Sequence, residues 1–211
     1  MLMARNLDKC KLCRRAGEKL FLKGDRCFTP KCALTRKAYA PGAHGKTVSR
    51  GQSEYGKQLA MKQRIKRIYG VLEKQFRKHY EDVSRRKGVT GDLLLARLEM
   101  RLDSVVYRMG FASSRSLARQ LVSHRAFRVN GKLLSIPSAE IRVGDVISVA
   151  SEKTKKTYFV NKQGELRNKK NIPSWLELDG EKFEGKVVGT PSRSDIGVAV
   201  DPQSVVEYYS K

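Results

Sequence analysis

The chain has 211 residues, and 44 Lys and Arg against 21 Asp and Glu give it a net charge of +23. That length holds one or two small domains, and so one-sided a charge opposes a compact state unless a polyanionic partner neutralises it. No apolar run approaches the roughly 20 residues of a transmembrane helix, and Met1-Leu2-Met3-Ala4-Arg5-Asn6 lacks the apolar core of a signal peptide, so an intracellular chain with reduced thiols is expected. The excess is uneven. Residues 1–90 hold 24 basic and 7 acidic residues, a net +17, and residues 91–211 hold 20 and 14, a net +6. The first half is therefore expected to supply most of the polyanion-facing surface.

All four cysteines, Cys10, Cys13, Cys27 and Cys32, fall in the first 32 residues as C-x2-C, a gap of thirteen and C-x4-C. Two close pairs across a short loop can converge on one tetrahedral Zn²⁺, although the gap is slightly shorter, and the second pair wider, than in the common zinc ribbon. Three other readings compete with this. Two disulfides would need an oxidising compartment, and a redox C-x-x-C would need a strand-to-helix setting that Asn6–Arg15 does not show. Incidental thiols rarely crowd into so short a span. Lys9, Lys11, Arg14, Arg15, Arg26 and Lys31 flank the pairs and would favour thiolates. Arg14 and Arg15 are also candidate RNA contacts. Large apolar residues here are few beyond Leu20, Phe21, Leu22 and Phe28, so metal binding would supply the folding energy of this segment.

Arg36 to Gly51 contains no acid and is broken by Pro41-Gly42. It reads either as a flexible linker or as a basic extension that orders against RNA, with Arg36, Lys37, Lys46 and Arg50 as its contacts. His44 has no partner at ligand spacing. Ser53 then opens a helix whose apolar stripe is Ile65, Ile68, Tyr69, Leu72 and Phe76, continued by Tyr80 and Val83, with Gly70 bending or dividing it. The opposite face is expected to carry Lys57, Lys62, Arg64, Lys66 and Arg67 along phosphates. His79 reads as an ordinary packing residue.

Leu95, Leu98, Leu102, Val105 and Met109 keep helical spacing, which predicts one long helix capped at Asp92 and stopped at Gly110. Ser113 is expected to cap a second helix with Leu117, Leu121 and Val122 buried and Arg115 and Arg119 on the outer face, running out near His124. Asn130-Gly131 between Phe127-Arg128-Val129 and Lys132-Leu133-Leu134 predicts a type I′ hairpin. A turn at Gly144-Asp145 leads into a strand with Ile147 and Val149 inward. The resulting unit has two helices and three strands, and one edge should carry Arg115, Arg119, Arg125, Arg128 and Lys132. Cations clustered on adjoining elements are the electrostatic footprint of a nucleic-acid binder. Beyond it, Lys153–Lys156 and Lys169-Lys170 read as loops, Ile172–Leu178 as renewed regular structure with Trp175 buried, and Val205–Lys211 as a strand-like apolar tail packed on the helical pair.

The runs Arg101–Phe111, Ser114–Gln120, Val129–Lys132 and Val143–Val149 resemble the S4-type RNA-binding domain. Together with the cysteine quartet, Tyr39–Gly45, the Ser53–Tyr69 helix and the ending Glu207-Tyr208-Tyr209-Ser210-Lys211, the whole chain resembles the bacterial small-subunit ribosomal protein four family in its zinc-binding form. That resemblance implies an α+β fold. Residues 1–45 would be a zinc knuckle and basic arm, 46–91 with 175–211 a helical domain closed by the tail, and 92–174 the S4-type module. It implies one structural Zn²⁺ on Cys10, Cys13, Cys27 and Cys32, and Arg115, Arg119 and Lys132 within the RNA-contacting module. It implies a cytoplasmic, non-enzymatic constituent of the small ribosomal subunit that binds 16S rRNA at a helical junction and helps nucleate assembly of the body. It further implies contact with small-subunit protein five, a place at the mRNA entrance that influences accuracy, and, in some members, repression of their own operon mRNA.

Two rivals share the module: RNA-modifying or aminoacylating enzymes, and ribosome-rescue factors. The first need a catalytic domain, and the chain offers no phosphate-binding glycine loop, no paired His motif and no nucleophile beside a base. The second would not be expected to carry the cysteine quartet or the tail. Cations spread over knuckle, arm, helix and module predict recognition of a folded junction by shape and backbone. Scarce aromatic interleaving predicts no stacking platform for single strands.

Overall fold

The computed structural model describes residues 8–47, 51–169, 171–197 and 200–210. The chain divides into two compact units, Met1–Lys78 with Val200–Lys211, and His79–Ala199. In the first unit, α1 (Lys9–Ala16) begins where the Asp8 carboxylate accepts from the Cys10 N–H at 3.1 Å and ends at Gly17. A 3₁₀ turn (Gly24–Phe28) and the short α2 (Ala33–Arg36) follow. The arm folds back on α1: the Arg14 guanidinium donates to the carbonyls of Tyr39 and Ala40 at 2.9 and 3.2 Å and lies 4.8 Å from the centre of the Tyr39 ring.

Ser53 caps α3 (Glu54–Tyr69) by accepting from the Gly56 N–H at 3.2 Å, and Gly70 divides it from α4 (Glu73–Ser84). The tail differs from the sequence expectation. It is a helix, α11 (Gln203–Tyr209), whose first N–H groups are accepted by the Asp201 carboxylate. Val205-Val206 suggested a strand, but Val205, Tyr208 and Tyr209 recur at helical spacing. That stripe packs on α3, with Val205 fully buried and the Gln58 amide donating to Glu207 at 3.0 Å.

In the second unit, the expected long helix is two, α5 (Thr90–Glu99) and α6 (Leu102–Met109). Helical spacing continues through the break, so the sequence carries no sign of it. The cause is tertiary: Arg101 is extended and bridges to Glu140, the Ile141 N–H donates to the Met100 carbonyl at 2.8 Å, and the Leu102 N–H donates to Ala139 at 2.9 Å. The N-cap of α5 is Val89, not Asp92. Gly110 ends α6, and Ser114 rather than Ser113 caps α7 (Arg115–Ser123), accepting from Leu117 N–H at 3.3 Å.

The hairpin of β1 (Phe127–Val129) and β2 (Lys132–Leu133) turns at Asn130 and Gly131, whose φ of 49° and 78° are the left-handed pair a type I′ turn requires. β3 (Val146–Val149) pairs with β1, burying Ile147 and Val149 as expected. Short helices α8 (Ser151–Thr154) and α9 (Thr157–Arg167) follow, and β4 (Leu176–Asp179) and β5 (Glu184–Val187) then join the same sheet. Its order is β2-β1-β3-β5-β4, with every pairing antiparallel. Residues 175–199 therefore belong with the module and not, as the sequence suggested, with the helices and tail; only 200–210 of that stretch join the first unit. The edge of β3 explains this, since it needs a partner and β5 supplies it. Gly185 allows β5 to lie against α6, where a Cβ would meet the Met109 sulfur at 2.7 Å. Phe111, Phe127, Phe159, Trp175 and Phe183 centre the core, and α10 (Arg193–Ile196) packs on α5.

Candidate nucleic-acid interface and cysteine cluster

One turn of α1 sets Cys10 and Cys13 three residues apart on a common face. The 3₁₀ turn presents Cys27, and Cys32 is the N-cap of α2. All four side chains line one cavity, and Cys13, Cys27 and Cys32 are buried. All four are free thiols. Backbone N–H groups point at the sulfurs: Lys23 donates to Cys27 Sγ at 3.4 Å. Burial and the neighbouring thiols push the Cys13 thiol up against a bond from the Leu20 backbone. At Cys32, burial raises the thiol's value, but bonds from the Thr35 and Leu34 backbone and the charge of Lys19 bring it below the ordinary range. Bonds of that kind favour thiolates and suit a soft thiophilic cation. Among the described residues, however, no group of three or more His, Cys, Asp or Glu side chains is placed to hold a metal ion as it stands. Four thiols have no mutual attraction that would draw them to a common point, so a bound cation would have to close the cluster.

The cations divide into those on the surface and those drawn inward. Arg15, Arg36, Lys37 and Lys46 are exposed, with Lys46 5.4 Å from the Tyr39 ring centre, whereas Arg14 anchors the arm; Arg50 lies outside the described residues. On α3, Lys57 is exposed and paired with Glu54 at 2.6 Å, and Arg64 pairs with Glu18. Lys66 pairs with Glu73 at 2.9 Å, and Arg67 is half-buried. Lys62 is a correction. It is 5% exposed, bonds Glu73 at 2.7 Å and sits 4.1 Å from the Tyr208 ring centre, so it faces inward and not toward phosphates. Its spacing shows why, since Lys62 lies three residues before Ile65 and seven before Tyr69, on the apolar face. Glu73 also accepts from the Tyr209 hydroxyl at 3.0 Å. Burial pushes that carboxyl up, but the bonds from Lys62, Lys66 and Tyr209 outweigh it and hold it at about 2.

In the second unit Arg115 and Arg119 do not stand on a free outer face. Arg115 bonds the fully buried Glu99 at 2.8 Å, alongside Arg108, which contacts the same carboxylate at 2.6 and 2.9 Å. Arg119 bonds the buried Asp103 at 2.6 Å, and Arg101 grips the same group through two bonds at 2.9 and 3.1 Å. These acids were missed by the sequence reading. Their one signal is that Glu99 adjoins Leu98 and Asp103 adjoins Leu102, within the apolar stripe. Arg125 and Lys132 are exposed, and Arg128 is paired with Glu152 at 2.9 Å. The predicted single edge is also corrected: Lys132 pairs with Val129 and Arg128 with Leu133, so Arg128 and Lys132 lie on opposite faces of the hairpin.

Residues 6–99 match the Ribosomal protein S4/S9 N-terminal domain, and residues 100–147 match the S4 domain. The small ribosomal subunit protein uS4 of Natranaerobius thermophilus is 52% identical over 202 residues, covering 96% of both chains. That of Caldicellulosiruptor bescii is 54% identical over 202 residues, again 96% of both, and that of Nitrosospira multiformis 52% over 210, covering 99% of this chain and all of the relative. The chain belongs to the uS4 family. The S4 domain match ends at residue 147, while the sheet it begins is completed by β4 and β5. No helix among the described residues is long and apolar enough to cross a membrane.

Proposed function

We propose that this uS4-family chain is a structural, rRNA-binding constituent of the small ribosomal subunit, acting in the cytoplasm. It is not an enzyme, because its relatives are ribosomal structural proteins. The observation that carries this reading is the near full-length similarity to uS4 proteins together with the S4 domain match over residues 100–147. That stretch folds into α6, α7 and the hairpin, with Arg125 and Lys132 exposed. The finer reading is that 16S rRNA is gripped at a helical junction through shape and phosphates, and that this nucleates assembly of the body. Exposed cations on Arg15, Arg36, Lys37, Lys46 and Lys57 of the first unit, and on Arg125 and Lys132 of the second, support it, because each unit offers phosphate contacts of its own. The family resemblance alone supports contact with small-subunit protein five, a place at the mRNA entrance that affects accuracy, and repression of the operon mRNA.

The test compares binding to the intact junction and to a single-stranded RNA of the same length and composition. The junction should bind more tightly, and with on the order of ten phosphates engaged log K should fall with log salt at a slope of roughly −7 to −9. Equal affinity for both RNAs would leave a generic polycation.

One structural Zn²⁺ on Cys10, Cys13, Cys27 and Cys32 completes the reading. Its support is the shared cavity, the backbone N–H bonds to sulfur and the shortage of apolar core around it. Bound there, Zn²⁺ would supply folding energy and no chemistry. Protein purified without added metal should contain about one zinc per chain, and a metal-free chain with an ordered N-terminal segment would exclude it.

A further inference from the structure

Phe21 and Phe28 should have been the natural core of the cysteine segment, yet both are exposed, at 41% and 73%. Their rings stack on one another with centroids 5.0 Å apart and planes 27° apart. Phe21 holds a φ of 51°, a left-handed conformation disfavoured for any residue with a Cβ. The backbone beneath the rings is fixed: Leu20 and Cys27, their immediate neighbours, are buried, and the bond from Lys23 N–H to Cys27 Sγ closes the loop between them. A stacked, exposed aromatic pair on an anchored loop is unlike a side chain left over from packing. Phe21 covers one side of Phe28, and the high exposure of Phe28 leaves the rest of that ring open.

The surroundings select the occupant. Lys19, Lys23, Arg26 and Lys31 are exposed in the same segment, against one exposed acid among them, Asp25. An apolar side chain from a protein would use the ring and leave those cations in water. A nucleotide brings a flat π face and a phosphate together, and base stacking on aromatics tolerates any base. We propose that an unpaired nucleobase of the bound rRNA stacks on the open face of Phe28, extending the Phe21–Phe28 pair to three layers, with its phosphates held by the flanking cations. The inference rests on the rRNA-binding reading above and adds a base contact that the expectation of backbone-only recognition did not include.

The test uses the full chain and the 5′ domain of 16S rRNA at moderate salt, with Phe28→Ala, Phe28→Leu and Phe28→Trp. Loss of one base stack should weaken binding roughly 5- to 150-fold in Phe28→Ala. Phe28→Leu, which is apolar without a π face, should fall close to Phe28→Ala, whereas Phe28→Trp should bind at least as well as the original chain. The slope of log K against log salt should be the same in all four, because no phosphate contact is removed. Fluorescence of the new tryptophan should be quenched by RNA, while that of the buried Trp175, measured in the unsubstituted chain, should not. If Phe28→Ala does not fold, the contrast between Leu and Trp decides. Equal affinity of Leu and Trp, or of Ala and the original chain, overturns this inference alone. A variant that binds RNA normally but fails to take up a neighbouring protein overturns it in favour of a protein contact. An original chain that does not bind rRNA overturns the broader reading as well.

Discussion

Between Asp8 and Thr47 the buried hydrophobic side chains among the described residues are Leu20 and three cysteines, whereas the module is organised around one continuous apolar cluster from Met100 to Val187. The two regions use their charges in opposite ways. In the module, Arg101, Arg108, Arg115 and Arg119 are turned onto two buried acids, so that Arg115 and Arg119, which read as RNA contacts, instead help to hold helices together. In the cysteine segment Arg15, Arg26, Arg36 and Lys37 are exposed, and the backbone beneath them is held by little more than Leu20, the buried cysteines and the bonds of Arg14 to the arm. A large core can neutralise part of its own charge internally, and a segment without one leaves its cations for a partner and draws its order from elsewhere.

The largest effect that would break this comparison is removal of one thiol. If the proposed Zn²⁺ closes the cluster, Cys10→Ser should disorder residues 1–40, with proteolysis confined to that segment, while the module keeps its own cooperative unfolding transition. A segment that stays protected in Cys10→Ser would mean that its few apolar contacts suffice and that the contrast is false.

Next in size is the buried carboxylate of the module. Glu99→Gln leaves the Arg108 and Arg115 guanidiniums without their shared counter-charge, and removing one partner of a buried pair costs about 3–5 kcal/mol. The lower end is expected, since Arg108 and Arg115 are 18% and 15% exposed and can turn toward water. Denaturant unfolding of the intact chain would measure it, and a change under 1 kcal/mol would show the pair to be incidental. Asp103→Asn should behave similarly. Arg119→Ala is consequently a stability mutation first, and reduced RNA binding by it would not identify a phosphate contact.

How much of this was legible varies with the range of the interactions involved. The Asn130-Gly131 turn, the Ser53 cap, the stops at Gly70 and Gly110 and the inward Ile147 and Val149 are written in neighbouring residues, and all are found in the structure. The break at Met100-Arg101 was not, because it is made by residues 139–141, some forty positions away. Regular structure was expected over Ile172–Leu178, where β4 begins, but its pairing and the whole of β5 were missed because Leu176-Glu177-Leu178-Asp179 and Glu184-Gly185-Lys186-Val187 are short and half charged, and become strands by pairing with β3 and each other. The cationic residues were assigned to the surface by type, although Lys62 stood on the apolar face and Arg115 and Arg119 had acids waiting for them. Phe21 and Phe28, counted among the few large apolar residues of a segment too small for its own core, are exposed.

A smaller effect separates the units by pH. His79, half-buried with Nδ1 making no hydrogen bond, is lowered to about 4 by burial and by the charges of Arg101 and Arg97, with Asp82 and Glu140 opposing. The unfolded chain takes up that proton near 6.5, the folded one only near 4, so the unfolded state binds more protons in between. The contribution of neutral His79 is therefore present above pH 6.5 and lost as pH falls toward 4. Glu73 of the first unit, held at about 2 against an ordinary 4.5, should lose its contribution only below pH 4.5. His79→Gln should flatten the upper part of the acid limb and leave the lower part in place. A limb unchanged above pH 5 would show that His79 is hydrated.

The smallest effect sharpens the comparison where sequence and structure disagreed most, at Lys62 and Lys132. Both read as phosphate contacts, but Lys62 is buried against Glu73 and Tyr208, and Lys132 is exposed on β2. Lys62→Met should cost about 1–3 kcal/mol by removing a bond to a charged group, toward the low end because Glu73 is 45% exposed and keeps Lys66. The docking of α11 on α3 should loosen with it, while the salt slope of RNA binding stays unchanged. Lys132→Ala should do the reverse, with no measurable loss of stability and a slope about one unit shallower, since one phosphate contact fewer releases one counterion fewer. A shallower slope in Lys62→Met would mean that Lys62 leaves its aromatic pocket when RNA binds. An unchanged slope in Lys132→Ala would place the hairpin outside the contact surface and shift the burden of binding to the first unit, where the charge excess already lies.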